Sequence, residues 1–430
     1  LVIIGEGEEI LPRLLEELER LRLEKKNRKE MLLAVAQLPG VYVPQFYEAQ
    51  YNEDGAFSGL ALLEKVPAQI QRQWVREIDD FPHTSAIISP YTEFANMFLV
   101  EVARGCGRHC RFCMAGYCFR RPRNRDLEGL LQDIRQRPAE TAKVGLMGAA
   151  VSDYPEIRAL TGTLMEEEVP FSCASLRADS LDLPLVQALA NSGQRTMTVA
   201  PEAGSPKMRA AINKGITEEH IYQAMEYAAQ AGMPHVKLYF MVGLPGETEE
   251  DVEEIIRLVC RVRARMEELG HKGELTLSVN AFVPKPFTPY QWSPLEEVKE
   301  LKQRFKQLQN GLKKERRIRL LTESLKETVL QAALARGDRR LSAVLLLAAR
   351  EEIGLKDAFR RAEIDPADFA CRSFPLNAPL PWDHLDMGVT KTYLLQERER
   401  SFEGKFTPMC FDGCSRCGVC ESKISTERRN

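Results

Sequence analysis

Arg104-Gly105-Cys106-Gly107-Arg108-His109-Cys110-Arg111-Phe112-Cys113 is the stretch on which the reading of this chain turns. Its C-x3-C-x2-C spacing packs three thiols into one short loop with small or basic residues between them. Soft thiolates select iron–sulfur clusters, zinc or Cu(I). A 4Fe–4S cluster normally takes four protein thiolates, so three leave one iron open, and an open iron is a reaction site. Zinc is the nearer rival, but structural zinc wants four ligands. His109 is the local candidate for a fourth, and its neighbour Cys110 would already be bound, which strains simultaneous ligation. Cys118, five residues on, reads as a core thiol.

Outward from the loop, an apolar run at 97–102 leads directly into the triplet. Further strand runs follow at 141–147, 171–175, 196–200, 236–242 and 275–282. Helical stretches lie between them at 127–136, 183–191, 218–231 and 249–269. Repeated βα units imply a parallel sheet. The expected fold class is α/β, a partial (β/α)6 barrel over residues 96–293, with a doubly wound open sheet as the alternative. Both place functional residues at the C-terminal ends of strands. Residues 1–24 read as the last strand–turn–helix of an α/β domain, with a helix at 10–23. Residues 25–95 read as a connecting segment with one hairpin. A helical extension (294–400) follows, with helices at 295–309, 323–334 and 341–349, and then a Cys-rich tail (401–430).

The chain has 430 residues, 44% hydrophobic and 28% charged, with a formal charge of −3. That balance gives no indication of nucleic acid or a membrane surface as partner. The basic run Arg120-Arg121-Pro122-Arg123-Asn124-Arg125 reads as a solvated, locally paired loop at least as well as an RNA contact. No apolar run reaches the roughly 18 residues a membrane span needs; the stretch 341–349 reads as a buried helix. The first residues carry neither a basic leader nor a cleavage site, and no initiator Met, which suggests a fragment of a longer chain. The 11 cysteines cluster at ligand spacing, which argues for metal over a disulfide framework and for a reducing, cytoplasmic location. Cys410, Cys414, Cys417 and Cys420 form a second group, C-x3-C-x2-C-x2-C, that suits zinc or a second 4Fe–4S cluster.

The triplet with its aromatic Phe112, placed after a first barrel strand, resembles the signature of the radical S-adenosylmethionine (SAM) superfamily. The resemblance implies a radical SAM barrel. It implies that the open iron of a 4Fe–4S cluster on Cys106, Cys110 and Cys113 binds SAM, and that one electron cleaves the sulfonium to a 5′-deoxyadenosyl radical. It further implies SAM contacts at later strand ends: Phe112 beside the cluster, Gly148 and Ala149 through backbone, Ser175 and Arg177 toward the carboxylate, Glu202 toward the ribose, and Met241 and Val242 toward adenine. The segment 280–292 resembles the closing segment of relatives that carry an N-terminal cobalamin-binding domain, where Thr288, Tyr290 and Trp292 either line the substrate mouth or, as prolines and aromatics equally do, seal the barrel. Gly5-Glu6-Gly7-Glu8-Glu9 looks like the final turn of that domain, so cobalamin would require residues upstream. The motif Pro381-Trp382-Asp383-His384 and the tail resemble an uncharacterised group of the same superfamily.

The expected function is reductive cleavage of SAM, with methyl or methylthio transfer as the specific version and an electron donor such as flavodoxin or ferredoxin. No residue is assigned a catalytic role, and the substrate is open. The alternative is a non-catalytic iron–sulfur electron-transfer or metal-binding protein, which would need a distant fourth ligand such as Cys173.

Overall fold

The computed structural model describes residues 1–174 and 176–420. Parallel strands carry the fold: β1 (Met97–Glu101), β2 (Lys143–Met147), β3 (Phe171–Cys173), β4 (Thr196–Glu202), β5 (His235–Val242), β6 (Leu275–Ala281) and β7 (Ile318–Thr322). β1, β2 and β3 form one sheet in chain order, and β4 to β7 form a second. A parallel bridge between Leu176 and Val199 joins them. The product is an open arc, a partial barrel in which β1 and β7 do not pair among the described residues. The outer edge of β1 is instead covered by the connecting segment: Ser85 donates to the Leu99 carbonyl (2.9 Å), and Glu101 to the His83 carbonyl (2.8 Å). Covering an edge this way blocks pairing with another chain.

Side-chain alternation along the strands separates two faces. On β5, Val236, Leu238, Phe240 and Val242 are buried, while Lys237, Tyr239 and Met241 are half-exposed. On β6, Leu275, Leu277 and Val279 are buried, while Thr276, Ser278 and Asn280 are half-exposed. The buried set shares the main core with Ile221 and Ala224 of helix α1 (Glu218–Gln230) and Val252, Ile255 and Val259 of helix α2 (Glu249–Glu268). Each such side chain contributes roughly 1.5–3 kcal/mol through burial. A parallel sheet covered on both faces would read as continuous apolar runs; here the polar face opens into the concave side of the arc.

β7 lies where the sequence leaves a gap between two helical stretches. Its residues alternate weakly and it has one partner, β6, so its pairing is set by tertiary context. The sheet therefore continues past residue 293. The helix Leu341–Glu351 is present, but the expectation that it is buried is corrected: Leu345 and Leu346 are 46% and 52% exposed. One face of it, Leu341 and Val344 with the partly buried Leu347 and Ala348, reaches the small core around Phe359. No helix of the described residues is long and apolar enough to cross a membrane.

At the other end, Val2–Ile3 pairs antiparallel with Val41–Tyr42, and helix Gly7–Leu23 is followed by a second, Arg28–Val35. The expected hairpin is Tyr47–Tyr51 with Phe57–Leu62. These elements share their own core around Ile10, Leu14, Leu21, Val35 and Phe46.

The turn before α2 is set by local chemistry. Thr248 caps the helix, its hydroxyl accepting from the Asp251 amide while the Asp251 carboxylate accepts from the Thr248 amide, a reciprocal capping box. At the end of β4, Gly204 lets the α2 backbone approach: a Cβ there would lie 2.2 Å from the Ile255 nitrogen. Gly204→Ala is expected to cost roughly 1–3 kcal/mol through overpacking, read as a lower urea midpoint at unchanged m-value. Burial pushes the Glu247 carboxyl up to about 7 despite the Gly243 amide and Arg304. In the unfolded chain the same group ionises near 4.5, so folded stability is held below that pH and falls as pH rises toward 7. The loss is about 3 kcal/mol. The stability of Glu247→Gln relative to the parent is expected to rise between pH 4.5 and 7.5; denaturation midpoints that shift in parallel would contradict this.

Candidate active site

The cysteine loop leaves β1 at the C-terminal end of the arc. Gly105 has a φ of +84°, and a Cβ there would meet the Phe119 carbonyl at 2.0 Å, so only glycine fits this crossing. The three thiols lie within electrostatic reach of one another: burial pushes Cys106 up to about 11, and Cys110 and Cys113 add to that. Burial likewise raises Cys113, opposed by amides of Ala115 and Gly116 that donate to its sulfur. The Arg108 amide points at the Cys106 sulfur at 3.4 Å. Three soft donors with amides aimed at their sulfurs fit a cluster ligated by thiolates, which must lose their protons to bind. Among the described residues no three His, Cys, Asp or Glu side chains are drawn to direct metal-ligand spacing.

Charged groups ring this loop. Arg108 bonds Asp153 and Asp179 (2.8 Å each). Arg177 bonds Asp179 at 3.0 Å and the Lys214 carbonyl, and its Nη1 lies 3.8 Å from the Cys110 sulfur. A register shift in β4 between Val199 and Glu202 and a φ of +69° at Glu202 re-aim that carboxylate, as bulges do. Glu202 pairs with Lys214 at 3.1 Å, and the Lys214 ammonium lies over the Phe112 ring. Phe112, Glu202, Tyr239 and Met241 line a cavity of about 370 Å³ at the mouth of the arc.

The second cysteine group docks on the back of the first loop. The Cys410 amide donates to the Gly107 carbonyl at 2.9 Å, and a Cβ on Gly107 would sit 3.6 Å from the Cys410 Cβ. Buried Arg120 places one guanidinium nitrogen 2.8 Å from the Cys410 sulfur. Arg416 donates to the Cys414 sulfur at 3.2 Å. Burial alone would raise the Cys414 thiol, and Arg416 outweighs it, leaving the group lowered. Cys417 and Val419 are buried, and Cys420 is exposed.

The anchor between the two groups is Arg111, with no exposed side-chain surface. Its Nε meets Glu397 at 3.1 Å, and its other nitrogens donate to the carbonyls of Ala210, Ala211 and Lys405. Glu397 lies on helix Lys391–Phe402 and also accepts from Thr407 at 2.7 Å.

The structure sorts the expected residues. Phe112, Glu202 and Met241 share the cavity. Val242 is fully buried with the helix-facing core, one alternation step away from the cavity side that Met241 lines. Gly148 and Ala149 sit exposed at the end of β2, and Ser175 lies outside the described residues. Thr288, Tyr290 and Trp292 do not line the mouth: all three are buried, with the Tyr290 hydroxyl 2.5 Å from Ser401. Aromatics between two prolines here seal the barrel against the extension. His109 turns toward the tail, its Nδ1 2.6 Å from the Tyr393 hydroxyl and its Nε2 3.9 Å from the Cys410 sulfur. Burial first, and Arg120 second, hold it neutral, down to about 2. Cys173 is buried within the main core. In the basic run, Arg120, Arg123 and Arg125 are buried, two of them against Glu6 and Glu101 at 2.7 Å each; the solvated-loop reading and the RNA reading of those three are both corrected. Arg111, Glu397, Arg120 and Tyr393 escaped sequence reasoning, since their partners are about 290 residues away.

Residues 100–259 match the family model for the radical SAM superfamily, and residues 1–44 match the model for the N-terminal region of radical SAM proteins. An uncharacterized protein of Methanocaldococcus jannaschii is 36% identical over 305 residues, covering 69% of this chain and 64% of that protein. A tRNA-2-methylthio-N(6)-dimethylallyladenosine synthase of Carboxydothermus hydrogenoformans is 30% identical over 228 residues, 50% of each chain. The chain thus spans about half to two-thirds of the length of these curated relatives. Among solved structures, the radical SAM methyltransferase TsrM of Kitasatospora setae is 15% identical, covering 67% of this chain and 52% of that one at a TM-score of 0.42. The cobalamin-dependent radical SAM enzyme OxsB is 14% identical, with 84% and 53% covered at a TM-score of 0.42.

Removing one partner of a buried ion pair leaves an uncompensated charge, at about 3–5 kcal/mol. Glu397→Ala is expected to lose that much stability and to lower the iron content of reconstituted protein. The double change Arg111→Met with Glu397→Leu is expected to recover most of the stability, measured by guanidinium denaturation. Equal losses in the single and double variants would show that the pair does not act as a unit.

Proposed function

Since residues 100–259 belong to the radical SAM superfamily, we propose that this protein is an enzyme that cleaves S-adenosylmethionine reductively at its cysteine loop. The observation that carries the reading is the triplet itself: Cys106, Cys110 and Cys113 lie within electrostatic reach of one another, with amides donating to two of their sulfurs. A 4Fe–4S cluster bound there supplies one electron to the sulfonium of SAM. The chain's own residues bind and orient. Arg177, held by Asp179 beside the Cys110 sulfur, presents a planar cation for the SAM carboxylate. Glu202, fixed by Lys214, accepts from the ribose hydroxyls. Met241 and Phe112 supply apolar walls that keep water from the reacting atoms, while Gly148 and Ala149 offer backbone groups.

Cys410, Cys414, Cys417 and Cys420 hold a second centre, a 4Fe–4S cluster or zinc. Arginines on the sulfurs of Cys410 and Cys414 support it, because a guanidinium beside sulfur favours the thiolate that metals bind. Methyl or methylthio transfer is the reaction class. The methylthio version is favoured by the hydrogen bond from Cys410 to Gly107, which sets a second sulfur-rich centre against the first. The electron donor is a flavodoxin or ferredoxin type, and the free cysteines suit a reducing, cytoplasmic setting.

Anaerobically reconstituted protein with dithionite and SAM is expected to release 5′-deoxyadenosine, quantified by chromatography. Cys106→Ala is expected to abolish release, and Cys118→Ala to retain it. Cluster-loaded protein that forms no 5′-deoxyadenosine, with an EPR signal unchanged by SAM, would instead indicate a fully ligated electron-transfer centre.

A further inference from the structure

The cavity at the mouth of the arc holds two polar side chains that the fold leaves without partners. Asn280, at the end of β6, lines it, and its Oδ1 is buried with no hydrogen-bond partner. Lys285 lines it as well. This half-buried ammonium feels burial alone, with no carboxylate near enough to raise its pKa. The acids on the same cavity are accounted for: Glu202 is committed to Lys214 at 3.1 Å, and Glu323 is exposed at the rim. A half-buried cation without a counter-charge is costly, as is a buried amide oxygen without a donor. A lysine can often escape by extending its stem to water.

Here the backbone restricts that escape. Lys285 sits between Pro284 and Pro286, each with φ held by its ring. The Thr288 hydroxyl donates to the Lys285 carbonyl at 2.8 Å. The Phe287 amide, at a φ of +61°, donates to the Gln291 side chain at 3.0 Å. Gln291 is in turn tied to the Trp382 indole at 2.7 Å. The loop therefore holds Lys285 in the lining of the cavity, which Phe112 of the cysteine loop also lines.

We propose that the part of this cavity lined by Lys285 and Asn280, beside the Phe112, Glu202 and Met241 positions read for SAM, is the substrate site, and that Lys285 binds an oxyanion of the substrate, a phosphate or a carboxylate, while Asn280 accepts a hydrogen bond from the group beside it. This rests on the reading of the cysteine loop as the reacting centre, since Phe112 joins loop and cavity. The Lys285 cation sets which substrates are accepted; it takes no part in cleaving SAM.

The test needs no turnover. The reconstituted full chain is treated anaerobically with pyridoxal 5′-phosphate, an anionic aldehyde that condenses with an unprotonated amine and releases water. Borohydride then fixes the adduct, and peptides are mapped by mass spectrometry. Lys285 is expected to label several-fold faster than exposed lysines, because burial lowers its pKa and leaves more of the amine unprotonated. Inorganic phosphate or acetate is expected to slow it several-fold where chloride at the same ionic strength does not. Protection by phosphate alone assigns a phosphate, and protection by acetate assigns a carboxylate. Lys285→Gln is expected to lose the label and keep its melting transition, because the cation has no partner to forfeit. Labelling of Lys285 no faster than surface lysines, or no protection by either anion, overturns the proposal. So does a destabilised Lys285→Gln, which would mark a structural role. A protein that shows anion-protected labelling but makes no 5′-deoxyadenosine would overturn the SAM reading and leave an anion site. The opposite pair of results would leave SAM cleavage and remove this site.

Discussion

The buried ion pair between Arg111 and Glu397 is the contact on which the arrangement of this molecule rests. Arg111 lies inside the cysteine triplet, between Cys110 and Phe112, and Glu397 lies on a helix 286 residues later. A guanidinium taken fully out of water needs several acceptors at once. Arg111 finds them on the helix before α1, on the C-terminal helix and on the segment leading to the tail. The loop that presents three thiols is thereby held from behind by a strap of distant chain. Its conformation is not a local property of the ten residues that carry the cysteines.

The same strap brings the second cysteine group into contact with the first. Arg120, His109 and Tyr393 fill the space between them, and the neutral state of His109 follows from burial beside a permanent cation. A charged imidazole there would face Arg120 with no carboxylate to balance both. Much of the basic run that follows the triplet thus folds inward: Arg123 and Arg125 satisfy carbonyls of the connecting segment and the carboxylates of Glu6 and Glu101. Charge that reads as a surface in the sequence is interior cement in the fold.

On the concave side, the arc leaves a polar face uncovered by helices, and its residues are the half-exposed members of each strand's alternation. That face was legible in outline. The pattern at 236–242 and 275–282 shows which side chains share a face, and Glu202 and Met241 lie where strand-end reasoning puts them. Val242 was misassigned by one step of the same alternation. For Thr288, Tyr290 and Trp292 two readings stood open, because a Pro-rich aromatic segment reads alike whether it lines a mouth or seals one, and their burial decides for sealing. Lys285, in the midst of that segment, carried no periodic signal.

By itself the sequence determined the βα rhythm, the place of the cysteine loop after the first strand, and the donor chemistry of both thiol groups, because strand periodicity and ligand spacing are local quantities. The tertiary structure decided the seventh strand, the docking of the tail on Gly107, the inward turn of the arginines and the lone cation in the cavity. Each of those depends on which distant groups meet and which go without a partner, and a chain's one-dimensional order does not contain that.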